Sequence, residues 1–119
     1  MTQTTNNKRY DLEERCLNFV KRVNKYVNNL PKTITNIENE RQLARSAGSV
    51  GANYIEANEA MSKKDFAMRI KISKKEAKES RFWFELSEPS SNELKEKNLL
   101  IQETTELMKI FGSILEKSK

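Results

Sequence analysis

Between residues 12 and 30 the apolar side chains fall three or four apart: Leu12, Cys16, Phe19, Val20, Val23, Tyr26, Val27 and Leu30. That spacing keeps them on one side of a 3.6-residue turn and predicts an amphipathic helix. Asp11 is its expected N-cap, and Glu13 and Glu14 suit the positive end of the helix dipole. Asn28-Asn29-Leu30-Pro31 ends it, because the residue before a proline avoids helical backbone angles. A second helix is predicted from between Thr33 and Asn36 to about Glu59, with a stripe of Ile37, Leu43, Ala44, Ala47, Val50, Gly51, Tyr54 and Ile55. Ser62 is the next expected N-cap, with Asp65 as a weak capping-box partner, opening a third helix that runs to about Ser87. Pro89 punctuates the chain, and Ser91 or Asn92 is expected to cap a fourth helix. Its stripe is Leu94, Leu99, Leu100, Leu107, Met108, Ile110, Phe111, Ile114 and Leu115. No strand-period segment competes and no internal repeat is visible. Long helices joined by short turns predict an all-α, antiparallel up-and-down four-helix bundle. Residues 11–119 form its single domain, after a flexible N-terminal tail at 1–10.

Composition agrees with that reading and narrows the chemistry. In 119 residues, 33% are charged and 36% hydrophobic, with three glycines and two prolines. The net charge of +5 makes an anionic partner plausible. The single cysteine, Cys16, excludes an internal disulfide, and the lack of histidine removes zinc-finger spacing. Cys16 lies on the apolar side of its helix and reads as a buried thiol. The polar start MTQTTNNKRY has no signal-peptide core and no apolar run reaches membrane length, so a cytoplasmic protein with no membrane partner is expected.

The third helix carries the most pronounced charge pattern. Lys63, Lys64, Lys71, Lys74, Lys75, Lys78 and Arg81 share an arc of about 120°. Phe66, Ile70, Ala77 and Phe84 flank that arc on one side, and Met68, Ile72, Trp83 and Leu86 on the other. The basic side is therefore expected to face solvent. Lysines a helical turn apart can neutralise successive phosphates, which makes Lys63, Lys64, Lys71, Lys74, Lys75 and Lys78 the candidate nucleic-acid-binding residues. The plainer reading is an ordinary solvated helix face. Phe82 falls on the same outward arc near Lys71 and Lys75. A core or assembly contact is its first reading and base stacking the second.

Polar residues also fall where an apolar face is expected. Arg69, Glu76, Glu79, Ser73 and Ser80 lie between the two apolar arcs of the third helix, and Arg45, Ser49, Asn53 and Glu56 line one face of the second. A singly buried charge is costly, so Arg45, Glu56, Arg69, Glu76 and Glu79 are expected to form a structural ion-pair network, within the bundle or between subunits. Glu56/Glu59 and Glu76/Glu79 have the spacing of a carboxylate pair for Mg²⁺. The same spacing recurs at Glu85/Glu88, Glu93/Glu96 and Glu103/Glu106, and lysines compete for the carboxylates. No catalytic residue, metal site or cofactor is expected.

Gly48 and Gly51 sit three apart inside the second helix, where each costs roughly 1 kcal/mol relative to alanine. Two explanations stand: close packing of a neighbouring backbone against Ala44, Ala47, Gly48 and Gly51, or a local break near Ser46–Ser49. This stretch, LARSAGSVGANYIEA, with the following SKKDF and KKEAKESRFWFEL, resembles the bacterial 23S rRNA intervening-sequence proteins, also called the four-helix-bundle protein family. YDLEERCLNFVKRV and FGSILEKSK extend the likeness over nearly the whole chain, and Tyr54 and Asn58-Glu59 depart from it locally. The resemblance implies an antiparallel four-helix bundle that assembles as a homopentamer and has no defining catalytic activity. Many members are encoded within segments excised from ribosomal RNA precursors. Relatives of the same fold, the accessory variability proteins of diversity-generating retroelements, are basic pentamers that associate with nucleic acid and a reverse transcriptase. The expected function is therefore a non-enzymatic, oligomeric basic bundle that binds RNA or DNA through the lysine face. The alternative is an adaptor for a protein partner such as a nucleic-acid-processing enzyme.

Overall fold

The structure, a computed structural model, describes residues 7–119, with side chains from Asp11 onward. Four helices follow in order: α1 (Asn7–Asn28), α2 (Ile34–Asn58), α3 (Lys63–Leu86) and α4 (Leu94–Lys117), the last preceded by a 3-10 turn at Ser91–Glu93. No strand occurs among the described residues. The chain is an all-helical bundle, with α2 against α3, α3 against α4 and α1 against α2 as its main contacts.

Two caps form as their sequences dictate. Thr33 accepts a hydrogen bond from Asn36 N and opens α2, and Ser62 accepts from Asp65 N and opens α3. Two others do not. Helix α1 begins at Asn7, so Asp11 sits inside it and caps nothing; no glycine or proline in Asn7–Tyr10 halts the helix. Of the expected tail, residues 1–6 lie outside the described residues and 7–10 belong to α1. Ser91 and Asn92 enter the 3-10 turn, where Asn92 Oδ1 accepts from Ser90 Oγ at 2.6 Å, and Glu93 precedes α4 without a side-chain cap.

The core runs the length of the bundle. Phe19, Val23 and Tyr26 of α1 meet Leu43, Ala47 and Val50 of α2, Ile70, Ala77 and Phe84 of α3, and Leu100, Leu107 and Phe111 of α4, all fully buried. Tyr26 packs edge-on to Phe84 with ring centroids 5.4 Å apart, and its hydroxyl pairs with Ser87 Oγ at 2.7 Å, so the one polar atom of a buried ring is satisfied. Cys16 is buried as expected, and burial pushes its thiol up to about 12. Several stripe residues prove exposed: Ile37, Ala44 and Ile55 on α2, and Leu94 and Leu99 on α4. Each lies at the edge of its apolar arc, beyond the reach of a neighbouring helix.

The glycines correct the packing expectation in part. Helix α2 is unbroken through residues 45–57. A methyl group on Gly51 would touch Val20 Cγ2 at 3.5 Å and Cys16 Cβ at 3.9 Å, so Gly51 faces α1. A methyl group on Gly48 would meet nothing within 4 Å, so no packing in the monomer explains that glycine. Serines, rather than these glycines, bring α2 and α3 together. Ser46 Oγ and Ser80 Oγ are 2.7 Å apart, and Ser73 Oγ donates to Val50 O at 2.9 Å.

Candidate nucleic-acid interface

Helix α3 has its buried side at Ile70, Ser73, Glu76, Ala77, Ser80 and Phe84. With that side turned into the bundle, the 100° step per residue leaves the lysines outward. Lys63, Lys64, Lys71, Lys74, Lys75 and Lys78 are all exposed. Among the described residues, none of the six has a carboxylate within 4 Å. Arg81 departs from the group: it is half-buried and donates to Thr105 Oγ1 on α4. Lys74 leans the same way. Its Nζ would lie 3.5 Å from a methyl group built on Gly112, which places the end of the lysine beside α4.

The nearby acids Glu76 and Glu79 pair with Arg45 of α2 and not with these lysines. The Arg45 guanidinium bonds Glu76 Oε1 at 3.3 Å and also Glu79 Oε2, so both α3 carboxylates are engaged by α2. Glu79 Oε2 also accepts from Trp83 Nε1 at 3.3 Å. The Glu76 side chain is only 10% exposed and Arg45 is 49% exposed, which puts this cluster at the edge of the α2–α3 seam.

The five residues expected to form an ion-pair network therefore do not all join. Arg45, Glu76 and Glu79 do. Arg69 donates to Asn53 Oδ1 at 3.0 Å, and Asn53 in turn donates to Ser49 O, so Arg69 is matched with an amide rather than a carboxylate. Glu56 is exposed and pairs with neither arginine. With Glu76 and Glu79 both held by Arg45, one of the two carboxylate pairs considered for Mg²⁺ is already committed. Among the described residues, no three carboxylate, cysteine or histidine side chains gather as a metal site.

Two polar devices escaped the sequence reading. Arg15 pairs with Glu103 through two bonds of 2.7 and 2.9 Å, and Arg22 with Glu96 through two of 3.0 and 3.1 Å, which ties α1 to α4. Hydrogen bonding to Glu103 and Glu96 respectively raises both arginines' pKa values above the ordinary value. Their signal was present, because both arginines and both glutamates are seven residues apart and the helices run in opposite directions. Asn36, fully buried, donates to Pro31 O and Glu88 O and accepts from Glu88 N, clamping the α1–α2 turn to the α3–α4 turn.

A cavity of about 440 Å³ opens elsewhere, lined by Leu12, Arg15, Tyr54, Ile110, Ile114 and Lys117 among others, and includes none of the six lysines. No helix among the described residues is long and apolar enough to cross a membrane.

The family described as 23S rRNA-intervening sequence protein matches residues 8–113. A solved structure of a protein of unknown function from the S23 ribosomal protein family of Bacteroides thetaiotaomicron superposes with a TM-score of 0.76 at 28% identity. The alignment covers 92% of this chain and 98% of that one. No curated protein matches the chain.

Proposed function

This chain belongs to the 23S rRNA-intervening sequence protein family, and from that premise we propose that it is a non-enzymatic, self-associating basic bundle that binds RNA, or nucleic acid generally, through the lysine face of α3. The observation that carries this reading is the uncompensated charge: six exposed lysines with no carboxylate within 4 Å among the described residues. Lys64 to Lys78 span about 21 Å of helix axis at 1.5 Å per residue. Successive ammonium groups along that length suit a phosphate backbone, and release of condensed counterions supplies the driving force. Repetition of the ridge in an oligomer would multiply the affinity by avidity.

Self-association has its own support. Ile37 and Ile55 are 47% and 50% exposed, and with exposed Ala44 and open Gly48 they form a small, apolar strip on the outer side of α2. The same strip favours the second reading, an adaptor whose partner is another protein. The non-enzymatic part of the proposal rests on Arg45 engaging both Glu76 and Glu79.

Charge reversal separates the readings. Lys71→Glu, Lys75→Glu and Lys78→Glu together are expected to abolish binding of a labelled structured RNA. Reversal of Lys21 and Lys25 on α1 is expected to leave most of it. Equal loss from both sets would reduce the ridge to general basic character. Mg²⁺-dependent turnover of RNA that disappears in Glu76→Gln would overturn the non-enzymatic assignment.

A further inference from the structure

Resting on the ridge reading above, we propose that Phe82, braced by Trp83, is a stacking platform for one unpaired nucleobase, which makes looped RNA the ligand class rather than a continuous duplex. Phe82 is 53% exposed, although it is a large apolar side chain. It lies four residues beyond Lys78 and seven beyond Lys75, on the same outward arc of α3. A lone exposed phenylalanine is ordinary; this one is held. Its ring centroid is 5.0 Å from that of Trp83 at an interplanar angle of 73°. Trp83 is packed against the core, its Nε1 donates to Glu79, and Arg45 fixes Glu79 from α2. The platform is thus preorganised through Arg45, Glu79 and Trp83, and binding does not have to immobilise it first.

Charge around the ring defines which part of a nucleotide fits. On the N-terminal side Lys75 and Lys78 are exposed, with no carboxylate within 4 Å among the described residues, and suit phosphates. On the C-terminal side Glu85, three residues on, is exposed, so the positive ridge ends at Phe82. A neutral base suits that position better than a further phosphate. Every base offers a π face, and stacking on one aromatic side chain is sequence-tolerant. In A-form RNA such a base is accessible only where it is unpaired, as in a loop or bulge. Exposed Leu86 flanks Phe82, and the competing occupant is an apolar surface of another subunit.

The test titrates the full chain with two labelled RNAs of equal phosphate count, a hairpin with an unpaired loop and a blunt duplex, at one salt concentration. Phe82→Leu keeps apolar bulk and removes the π face, whereas Phe82→Tyr keeps the face. Trp83, the single tryptophan, reports locally by its emission. The hairpin is expected to perturb Trp83 emission in the wild-type protein and to bind about tenfold more weakly to Phe82→Leu, with duplex affinity unchanged and Phe82→Tyr close to wild type. Equal hairpin affinity in wild type and Phe82→Leu would overturn the platform and leave the ridge standing. A changed oligomer mass in Phe82→Leu, measured by light scattering, would overturn it in favour of a subunit contact. No binding of either RNA by the wild-type protein would remove the ridge reading as well.

Discussion

Single residues in this bundle differ most in whether a neighbouring helix reaches them. Gly48 and Gly51 look alike in the sequence, yet only Gly51 has α1 side chains beside it. Gly48→Ala is therefore expected to raise the stability of the isolated chain by about 1 kcal/mol, the helix-propensity difference, in denaturant unfolding. A loss instead would mean that something covers this side of α2. Cys16 is legible from periodicity alone, and its burial sets a pH dependence. Desolvation raises the folded thiol from 9.0 to about 12. Below pH 9 the folded and unfolded states both keep the proton. Between 9 and 12 the unfolded state loses it while the folded state holds it, so stability falls by up to about 1.4 kcal/mol per pH unit. Unfolding free energies measured from pH 8 to 11 should fall more steeply for wild type than for Cys16→Ala. Asn36 was not legible as a clamp, because its partners are backbone groups of two turns whose meeting depends on the folded topology. Asn36→Ala removes the partner of those part-buried groups, and thermal or denaturant unfolding should show a loss of about 1–3 kcal/mol.

Whole helices were readable because their apolar positions repeat at the helical period and their ends carry chemical signals, as Thr33 and Ser62 show. The edges of each stripe were not. Ile37, Ile55, Leu94 and Leu99 have the right residue type, but exposure there depends on how far the neighbouring helix extends around the stripe. The polar contacts across seams were legible as residue types and not as pairs. Arg45 was a candidate partner for Glu76 and Glu79, whereas Arg69 pairs with the amide of Asn53, a partner that charge type alone does not indicate. The α1–α4 ladder gives this scale its prediction. Its arginines are 41% exposed, so each pair should contribute at most about 1 kcal/mol and weaken with salt. Exchanging Arg15 and Glu103 should recover most of what either single reversal loses. Phe84→Ala, by contrast, empties a fully buried site against Tyr26 and should cost about 3–5 kcal/mol.

At the scale of the whole molecule, hydrophobic burial and charge are divided among the helices. Residues from all four build the core, and the lysine ridge occupies one outward side of α3. Glu76 and Glu79 of the same helix pair with Arg45 of α2 and not with the ridge lysines. The family match and the 0.76 TM-score to the Bacteroides thetaiotaomicron protein fix the fold, and the function assigned to it depends on that surface. One titration tests the assignment most directly: fluorescence anisotropy of a labelled structured RNA against the wild-type chain at several salt concentrations. If Lys64, Lys71, Lys75 and Lys78 each neutralise a phosphate, the log–log salt slope should be roughly −3 to −4 per bound chain, and smaller when three of them are reversed. Absence of saturable binding even at low salt would contradict the account and leave the lysines as a solvated helix face.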